Sequence, residues 1–306
     1  MSVHFHQAAI IGIGLIGSSL ARVLRQKGLA DRITGAARSQ RNRETALTLG
    51  VVDEAFESPS DAVKGADIVF VCTPVGSIAE TIGGFVSTLK KGAIVTDVGS
   101  VKSEIVKQVK PYLTDSFSFV AGHPVAGTEK SGPENGFAEL FEGRWCILTP
   151  EAGTNAEAVA AVREVWEQAG MKVEEMSAER HDKVMALMSH LPHLIAYTIV
   201  GTAADLEEET REDVLKYAAG GFRDFTRIAG SDPVMWRDIF LNNTGAVLDC
   251  LQRFSEDLTA LQKAIRQKDG TTLQNWFTRT RKIRREVIDM RQAQPENEKL
   301  LIKNKG

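Results

Sequence analysis

The pattern of apolar and polar positions divides this chain into two parts. In the first part, short strand-like segments alternate with stretches of helical periodicity. The segment 66–72 is apolar almost throughout, which is typical of a parallel strand buried on both faces. Strands are predicted at residues 8–11, 32–38, 66–72, 94–97, 117–121, 145–148 and 172–175. This order predicts βαβ units and an α/β fold with a Rossmann-type, doubly wound, mostly parallel sheet.

From residue 177 onward the pattern contains only helical periodicity. Helices are predicted at roughly 177–206, 212–217, 233–268 and 273–291, and Pro192 should kink the first of them because it removes a backbone hydrogen bond. The sequence therefore predicts two domains, 1–176 and an all-helical 177–291. The polar segment 292–306 that follows is interpreted as a mobile or surface-wrapping tail.

A glycine-rich turn joins the first strand to the first helix. In the motif G-x-G-x-x-G, one glycine permits the tight bend, a second allows the backbone to approach a pyrophosphate, and the third lets helix and strand pack closely. A bare motif can also be a tight connection without a ligand, but the strand before it and the amphipathic helix after it favour dinucleotide binding. The predicted cofactor-binding residues here are Gly12, Ile13, Gly14, Leu15, Ile16 and Gly17.

Two later strand ends should reach the same edge of the sheet, where ligands of such folds bind. Residues Thr73, Pro74 and Val75 follow the strand at 66–72, and we expect them to cover one side of the cofactor. Asp97 ends the next strand and Gly99 follows it, and both are also predicted to bind the cofactor.

The end of the second strand bears on the choice between NAD and NADP. An acidic residue about 20 positions after the glycines binds the ribose of NAD, but Ala37 stands there and Arg38 and Ser39 follow it. An arginine suits a 2′-phosphate, so we favour NADP over NAD. The alternative is that Arg38, with Arg41 and Arg43, is only a solvated charge at a helix start.

Composition adds limits on environment and partners. The 306 residues are 43% hydrophobic and 25% charged, with a net charge of −3, which is ordinary for a soluble globular protein and gives no indication of a nucleic-acid or membrane partner. Residues 1–7 carry neither a basic nor an apolar stretch, so we expect no signal peptide. Three scattered cysteines without metal-ligand spacing fit a reducing cytoplasm and no bound metal. We therefore expect a cytoplasmic protein.

Three histidines are candidates for chemistry. His123 follows a strand end, where it could accept a proton at neutral pH, although it could equally be a structural residue that caps a loop. His190 and His193 share a helix face on either side of Pro192, and we expect them to face a cleft. The alternative is that they pack within the kink, and a metal site is disfavoured because no carboxylate or cysteine lies near them in the sequence. His181 is expected at the surface, as are the two histidines near the N-terminus.

A pair of arginines lies in the segment 220–229. Arg223 and Arg227 are four residues apart on one helical face, and arginine side chains suit carboxylates, so a dicarboxylate substrate is indicated. Surface ion pairs with Asp224 or Asp232 are the alternative.

Five segments in this order resemble the prephenate/arogenate (cyclohexadienyl) dehydrogenase family of tyrosine biosynthesis. They are the glycine turn 12–17, DVGSVK at 97–102, GHPVAGTE at 122–129, SHLPH at 189–193, and 220–229 with Asp232, Pro233 and Trp236. The resemblance implies oxidative decarboxylation of arogenate or prephenate to tyrosine or 4-hydroxyphenylpyruvate, with hydride transfer to NAD(P). It also implies a homodimer that forms through the helical domain.

The resemblance also assigns roles to residues. By it, His123 hydrogen-bonds the 4-hydroxyl group of the substrate, Ser100 orients His123 or that hydroxyl, and Arg227 binds a substrate carboxylate. The remaining pocket residues that it implies are Thr128, Glu129, His190, His193 and Trp236.

Two other functions compete with this one. Another two-domain NAD(P)-dependent hydroxyacid dehydrogenase would carry a lysine and an asparagine on the first helix of the second domain, and Lys183 is present but no asparagine occurs in 177–206. A dinucleotide-sensing module without turnover would need neither a base nor a carboxylate-binding arginine.

Overall fold

A six-stranded parallel sheet is the centre of the fold in the computed structural model, which describes residues 3–128, 130–205, 216 and 220–289. The strand order β3-β2-β1-β4-β5-β6 is that of a Rossmann-type sheet, and the predicted fold class is confirmed. The strands are β1 (Phe5–Ile11), β2 (Ala30–Ala36), β3 (Glu54–Phe56), β4 (Ile68–Val71), β5 (Ala93–Asp97) and β6 (Phe117–Val120).

Alternate residues of β1 enter two core layers, one on each face of the sheet. Ala8 and Ile10 belong to one layer, Ala9 and Ile11 to the other, and all four are buried, which is why the second half of this strand is apolar. The helices that accompany the sheet are α1 (Leu15–Gln26), α2 (Gln40–Thr48), α3 (Pro59–Ala62), α4 (Ile78–Phe85), α5 (Ser103–Val109) and α6 (Ala156–Gln168).

The last two predicted strands do not extend the main sheet. The strands β8 (Trp145–Leu148) and β9 (Lys172–Glu175) form a separate three-stranded sheet with β7 (Gly122–Pro124), which is antiparallel to β8. Neither β7 nor β3 was predicted, because three residues are too few to show a period. Since β7 begins two residues after β6 ends, the chain turns out of the main sheet at this point.

The part of the chain after residue 177 that the structure describes is helical. Its helices are α7 (Ala178–Met185), α8 (Leu191–Ala204), α9 (Gly220–Thr226), α10 (Pro233–Asn242), α11 (Thr244–Arg266) and α12 (Gly270–Asp289). A π-helical turn, Ala186–His190, joins α7 to α8 directly before Pro192. Proline lacks the N–H that would bond to the preceding turn. The predicted kink therefore takes the form of a wider, π-helical turn at this position.

Two predicted helical elements differ from the structure or fall outside it. The helix predicted at 233–268 is interrupted at Asn243, where α10 ends and α11 begins. Most of the predicted helix 212–217, and the tail 292–306, lie outside the described residues.

The chain forms two compact units, Met1–Val247 and Leu248–Gly306. In the first unit, Trp236 and Ile239 of α10 pack into the core layer that contains Ala9 and Ile11, so this helix lies against the sheet domain. In the second unit, the described residues form the remainder of α11 and α12. These helices expose large apolar side chains, among them Leu258, Ile265, Phe277 and Ile283.

One helical run among the described residues, Ala178–Ala204, is long and apolar enough to cross a membrane when only length and composition are considered. The core helices of soluble proteins meet the same criterion. Here 28% of its most apolar window is buried inside the protein.

Candidate active site

Of the three glycines in the turn, two leave no space for a side chain and the third does. Gly12 has φ +100°, and a Cβ atom there would lie 2.6 Å from the carbonyl oxygen of Cys72. A Cβ atom on Gly17 would lie 2.3 Å from the carbonyl oxygen of Gly12, so neither position accepts a side chain. By contrast, no atom of the described residues lies within 4 Å of the Cβ position of Gly14. The open side is therefore the one at Gly14.

The N-terminus of α1 faces this open side with its polar groups unused. Gly14 is the N-cap residue, no side chain caps the helix, and its first turn has no acidic residue. The free N–H groups and the positive end of the helix dipole favour a phosphate there. The hydroxyl of Thr73 is also buried without a hydrogen-bond partner in the described structure. These features fit a pyrophosphate-containing cofactor.

A cleft of about 580 Å³ extends from this turn along the carboxyl ends of the strands. The predicted cofactor residues that line it are Gly12, Ile13, Gly14, Arg38, Ser39, Thr73 and Pro74. The predicted cofactor residues that do not line it are Leu15, Ile16, Gly17, Val75, Asp97 and Gly99.

The three arginines after β2 have different environments. Arg43 donates hydrogen bonds to the carbonyl oxygens of Ala37 and Arg38, at 2.7 and 2.9 Å, so it supports the backbone of the turn. Arg41 forms an ion pair with Glu134 at 3.2 Å. Arg38 alone of the three lines the cleft, and its side chain is exposed.

A buried ion pair joins the loop that follows β5 to the start of β7. The carboxylate of Asp97 accepts hydrogen bonds from the backbone N–H of Gly99 (2.8 Å), from that of Gly122 (3.2 Å) and from the ammonium group of Lys102. Lys102 also donates to the carbonyl oxygen of Gly122 at 2.7 Å, and both side chains are fully buried. The carboxylate of Asp97 is enclosed and serves these loops, and cofactor binding by this residue stays a prediction.

His123 lies on β7, opposite Ile147 of β8, and is 8% exposed. Its Nδ1 atom is 2.8 Å from Nε2 of His181, and Nδ1 of His181 is 2.8 Å from Oδ1 of Asp182. Asp182 in turn accepts the backbone N–H groups of Lys102 and Ser103, both at 2.8 Å, at the start of α5.

The prediction that His181 lies at the surface is wrong, because the side chain is fully buried. The buried positions of α7 are Ala178, His181, Asp182 and Met185. Their spacing of three and four residues is that of one helix face, so two polar residues belong to the face that packs inward. This spacing was a signal in the sequence that could have identified both residues.

The buried histidines have pKa values below the ordinary range. Burial is the main cause of the low pKa of His123, and the nearby His181, Lys102 and His190 lower it further. Burial also lowers the pKa of His181, although the hydrogen bond to Asp182 opposes the change. Burial tends to raise the pKa of Asp182, but the hydrogen bonds that it accepts from His181, Lys102 and Ser103 lower it on balance. Neutral histidines therefore face an ionised carboxylate at neutral pH.

His190 and His193 have different surroundings. His190 is fully buried, and its Nδ1 accepts a hydrogen bond from the amide of Asn243 at 3.1 Å. The same amide donates to the carbonyl oxygen of Asp182 at 2.9 Å. Burial lowers the pKa of His190 to about 4. His193 is half-buried and stacks on Trp236, with ring centroids 3.6 Å apart. The expectation that both histidines face a cleft is therefore wrong for His190.

The other predicted substrate residues are only partly brought together. Ser100 is half-buried and its backbone lies beside His190, but no hydrogen bond joins its hydroxyl to His123 among the described residues. Arg227 is exposed in a short turn after α9, and its charge contributes to the low pKa of His193, after burial. Thr128 is exposed, and Glu129 lies outside the described residues.

The buried, hydrogen-bonded polar groups around His123 and His190 are called the histidine network below. Four of its residues were not singled out as site residues from the sequence: Lys102, His181, Asp182 and Asn243. Lys102 was visible only as part of the segment 97–102, and Asn243 gave no signal because it lies inside a predicted helix. Over the ranges that the structure describes, no cluster of three or more histidine, cysteine or acidic residues could hold a metal ion.

Two family models match the chain. The model described as "Prephenate dehydrogenase, nucleotide-binding domain" matches residues 20–175, and "Prephenate dehydrogenase, dimerization domain" matches residues 177–279. The cyclohexadienyl dehydrogenase of Zymomonas mobilis is 41% identical over 92% of this chain and 95% of that protein. The prephenate dehydrogenase of Bacillus subtilis is 35% identical over 92% of this chain and 76% of its own length.

Solved structures agree with the sequence comparisons. Prephenate dehydrogenase from Aquifex aeolicus, in complex with hydroxyphenyl propionate and NAD+, superposes with a TM-score of 0.87 at 37% identity, covering 94% of this chain and all of that one. Arogenate dehydrogenase from Synechocystis superposes with a TM-score of 0.77 at 31% identity, covering 92% and 99%. The chain therefore belongs to the prephenate dehydrogenase family and is a dehydrogenase that uses a nicotinamide dinucleotide.

Proposed function

We propose that the protein catalyses the oxidative decarboxylation of prephenate, arogenate or both, with hydride transfer to NAD(P). The observation that carries this proposal is the position and protonation state of His123. It is a buried, neutral histidine beyond the carboxyl ends of the strands, and its Nε2 atom makes no hydrogen bond within the described residues. A neutral imidazole suits a reaction in which positive charge develops on the substrate.

The chemistry is a redox step followed by loss of CO2. When bound, the nicotinamide supplies a hydride acceptor for C4 of the cyclohexadienol ring. His123 accepts the proton of the 4-hydroxyl group through Nε2 as the C4–O bond gains carbonyl character. The bond from the ring to its carboxylate then breaks, its electron pair completes the aromatic ring, and His123 returns the proton to the phenolate oxygen. The reaction therefore needs no net proton.

We assign substrate binding to one charged side chain and one aromatic surface. Arg227 would bind a substrate carboxylate through its forked N–H groups. The stack of His193 on Trp236 gives a flat surface against which the ring could pack. Ser100, Thr128 and Glu129 remain proposed pocket residues from the family resemblance.

We further propose NADP as the preferred cofactor. The support is Arg38, which lines the cleft at the end of β2 with an exposed side chain, together with Ser39 and without an acidic residue at position 37. The Aquifex relative was crystallised with NAD+, so the two cofactors need direct comparison. Arg38→Ala should raise KM for NADP about tenfold or more and leave KM for NAD within about twofold, since only the former has a 2′-phosphate. Equal effects on the two cofactors would contradict the preference.

We also propose a cytoplasmic homodimer. The second family model describes a dimerization domain, and α11 and α12 expose large apolar residues within one chain. Burial of such residues is a main source of stability in dimer interfaces.

Steady-state kinetics with the four combinations of prephenate or arogenate and NAD or NADP tests the function. His123→Asn should lower kcat by about 10²-fold or more, within the range of general-base effects, and change cofactor binding little. Near-normal turnover of this variant would remove His123 from the mechanism. Turnover of a β-hydroxyacid in place of both cyclohexadienyl acids would favour the hydroxyacid dehydrogenase function, and cofactor binding without any turnover would favour a sensor.

A further inference from the structure

We propose that His181 and Asp182 form a relay that fixes the tautomer of His123 and takes up the charge that His123 acquires during the reaction. The proposal rests on the proposed function, because it assigns a positioning role toward the same base. It concerns a pair of adjacent residues on α7 whose side chains point into the buried interior beside β7.

The hydrogen-bond chain permits one arrangement of protons. An ionised carboxylate only accepts hydrogen bonds, so Nδ1 of His181, 2.8 Å from Oδ1 of Asp182, carries the hydrogen. A neutral imidazole has only one N–H group, so Nε2 of His181 has a lone pair. This atom then accepts the Nδ1–H of His123 at 2.8 Å. The lone pair of His123 is thereby left on Nε2, the atom that must receive the substrate proton.

The surroundings keep this arrangement in place. The pKa of Asp182 is lowered, despite its burial, by the hydrogen bonds that it accepts, so the carboxylate stays ionised. The other charged groups that act on His181 are Lys102, which lowers its pKa, and Asp97, which raises it. His190 adds to the low pKa of His123. Both rings of the relay are therefore neutral before substrate binds.

Asp182 cannot rotate away from its histidine. Its two oxygens also accept the N–H groups of Lys102 and Ser103, so the carboxylate caps the first turn of α5 from another helix. Three donors from two elements fix its plane.

The relay gives the transferred proton a second position. When Nε2 of His123 is protonated, its Nδ1–H can pass to Nε2 of His181, whose own Nδ1–H already faces Asp182. The positive charge then lies beside a carboxylate, one ring farther from the substrate carbon that loses hydride. No atom or electron is gained or lost in this shift, and it reverses when the phenolate is protonated.

A double-mutant cycle between positions 181 and 123 tests the relay. His181→Leu should lower kcat by about 10²-fold, with KM for the substrate and Kd for the nucleotide within about threefold of the wild type. His181→Gln retains an oxygen acceptor for the Nδ1–H of His123, so its kcat should fall only about tenfold. In the His123→Asn background, His181→Leu should cause no further loss, because the relay acts only through His123.

The outcomes separate the relay from a structural role and from the proposed function. Met185→Leu, on the same buried face of α7, is the control and should keep the wild-type kcat. Losses that multiply in the double variant, or wild-type kcat in His181→Leu, would overturn the relay while leaving His123 as the base. Wild-type kcat in His123→Asn would instead remove His123 from the mechanism, and the proposed function would be overturned only if the wild-type protein turned over neither prephenate nor arogenate. If His181→Leu does not fold, the same cycle with His181→Gln gives the same comparison.

Discussion

The cofactor cleft and the histidine network differ in their exposure to solvent and in the groups that form them. The cleft is open, and its phosphate-facing side consists of backbone N–H groups and of Gly14, beside which there is free space. The network is closed and consists of polar side chains such as His123, His181 and Asn243, nearly all without access to solvent. A phosphate needs only donors that point toward it, whereas a base needs a defined protonation state, which burial and fixed partners provide.

Substitutions in the closed region should lower the free energy of unfolding more than substitutions at the open cleft. A buried polar group costs free energy unless it is hydrogen-bonded, and a buried charge costs more unless it is paired. Lys102 and Asp97 satisfy this condition with each other and with the backbone of Gly99 and Gly122. Removal of one partner in the closed region should therefore be more damaging than any comparable change at the open cleft.

The largest effect should come from Lys102→Met. This variant leaves the carboxylate of Asp97 buried and unpaired, so the free energy of unfolding should fall by about 3–5 kcal/mol, measured by urea denaturation. Lys107→Met is the matched control on α5. Lys107 is mostly exposed and pairs with Glu104 at 3.4 Å, and its loss should change stability by less than about 1 kcal/mol. Equal effects of the two substitutions would show that burial does not distinguish these ion pairs.

A smaller effect should follow from acidification. The pKa of His190 is about 4 in the folded protein, below the unfolded value of about 6.5, so the unfolded chain binds the proton more strongly. The stabilisation is complete above pH 6.5 and is lost as the pH falls from there toward 4, with a limit of about 3 kcal/mol for this residue. His123 and His181 add to the loss, since their pKa values are shifted in the same direction.

Urea denaturation between pH 7.5 and 4.5 measures this loss. Replacement of His190 by Asn should reduce the slope of stability against pH in this window. The control is Met185→Leu, which replaces a buried residue without a titratable group and should leave the slope unchanged. Asp182 does not confound the window, because a carboxyl with a lowered pKa loses its stabilisation only below about pH 4. A flat stability profile would contradict the neutral, buried state of these histidines.

The contrast between the two regions also explains what the sequence could predict. The glycine turn is contiguous in the chain, so its spacing, the strand before it and the helix after it were all visible, and the fold class followed from the same local patterns. The histidine network joins residues that lie far apart, such as His123 with His181 and Asp182 with Asn243. The break in the helix lies at Asn243 and His123 lies on the three-residue strand β7, and neither feature has a periodicity of its own.

The smallest predicted loss of stability distinguishes two glycines of one turn. Gly17→Ala would place a methyl group 2.3 Å from the carbonyl oxygen of Gly12, which is fixed backbone, so overpacking should lower the free energy of unfolding by about 1–3 kcal/mol. Gly14→Ala has room for its methyl group and an ordinary φ of −98°, so its loss should be less than about 1 kcal/mol, mainly from a poorer N-cap.

The same pair separates folding from cofactor binding. The methyl group of Gly14→Ala occupies space beside the free N–H groups of α1, so Kd for the dinucleotide should rise about tenfold or more although the protein is stable. At saturating dinucleotide its kcat should remain near the wild-type value, because no group of the histidine network has changed. Urea denaturation, nucleotide titration and kinetics on the two variants measure the three quantities. An unchanged Kd in Gly14→Ala would mean that the open side of the turn is not where the phosphates bind, and the division between an open backbone site and a closed side-chain site would then fail.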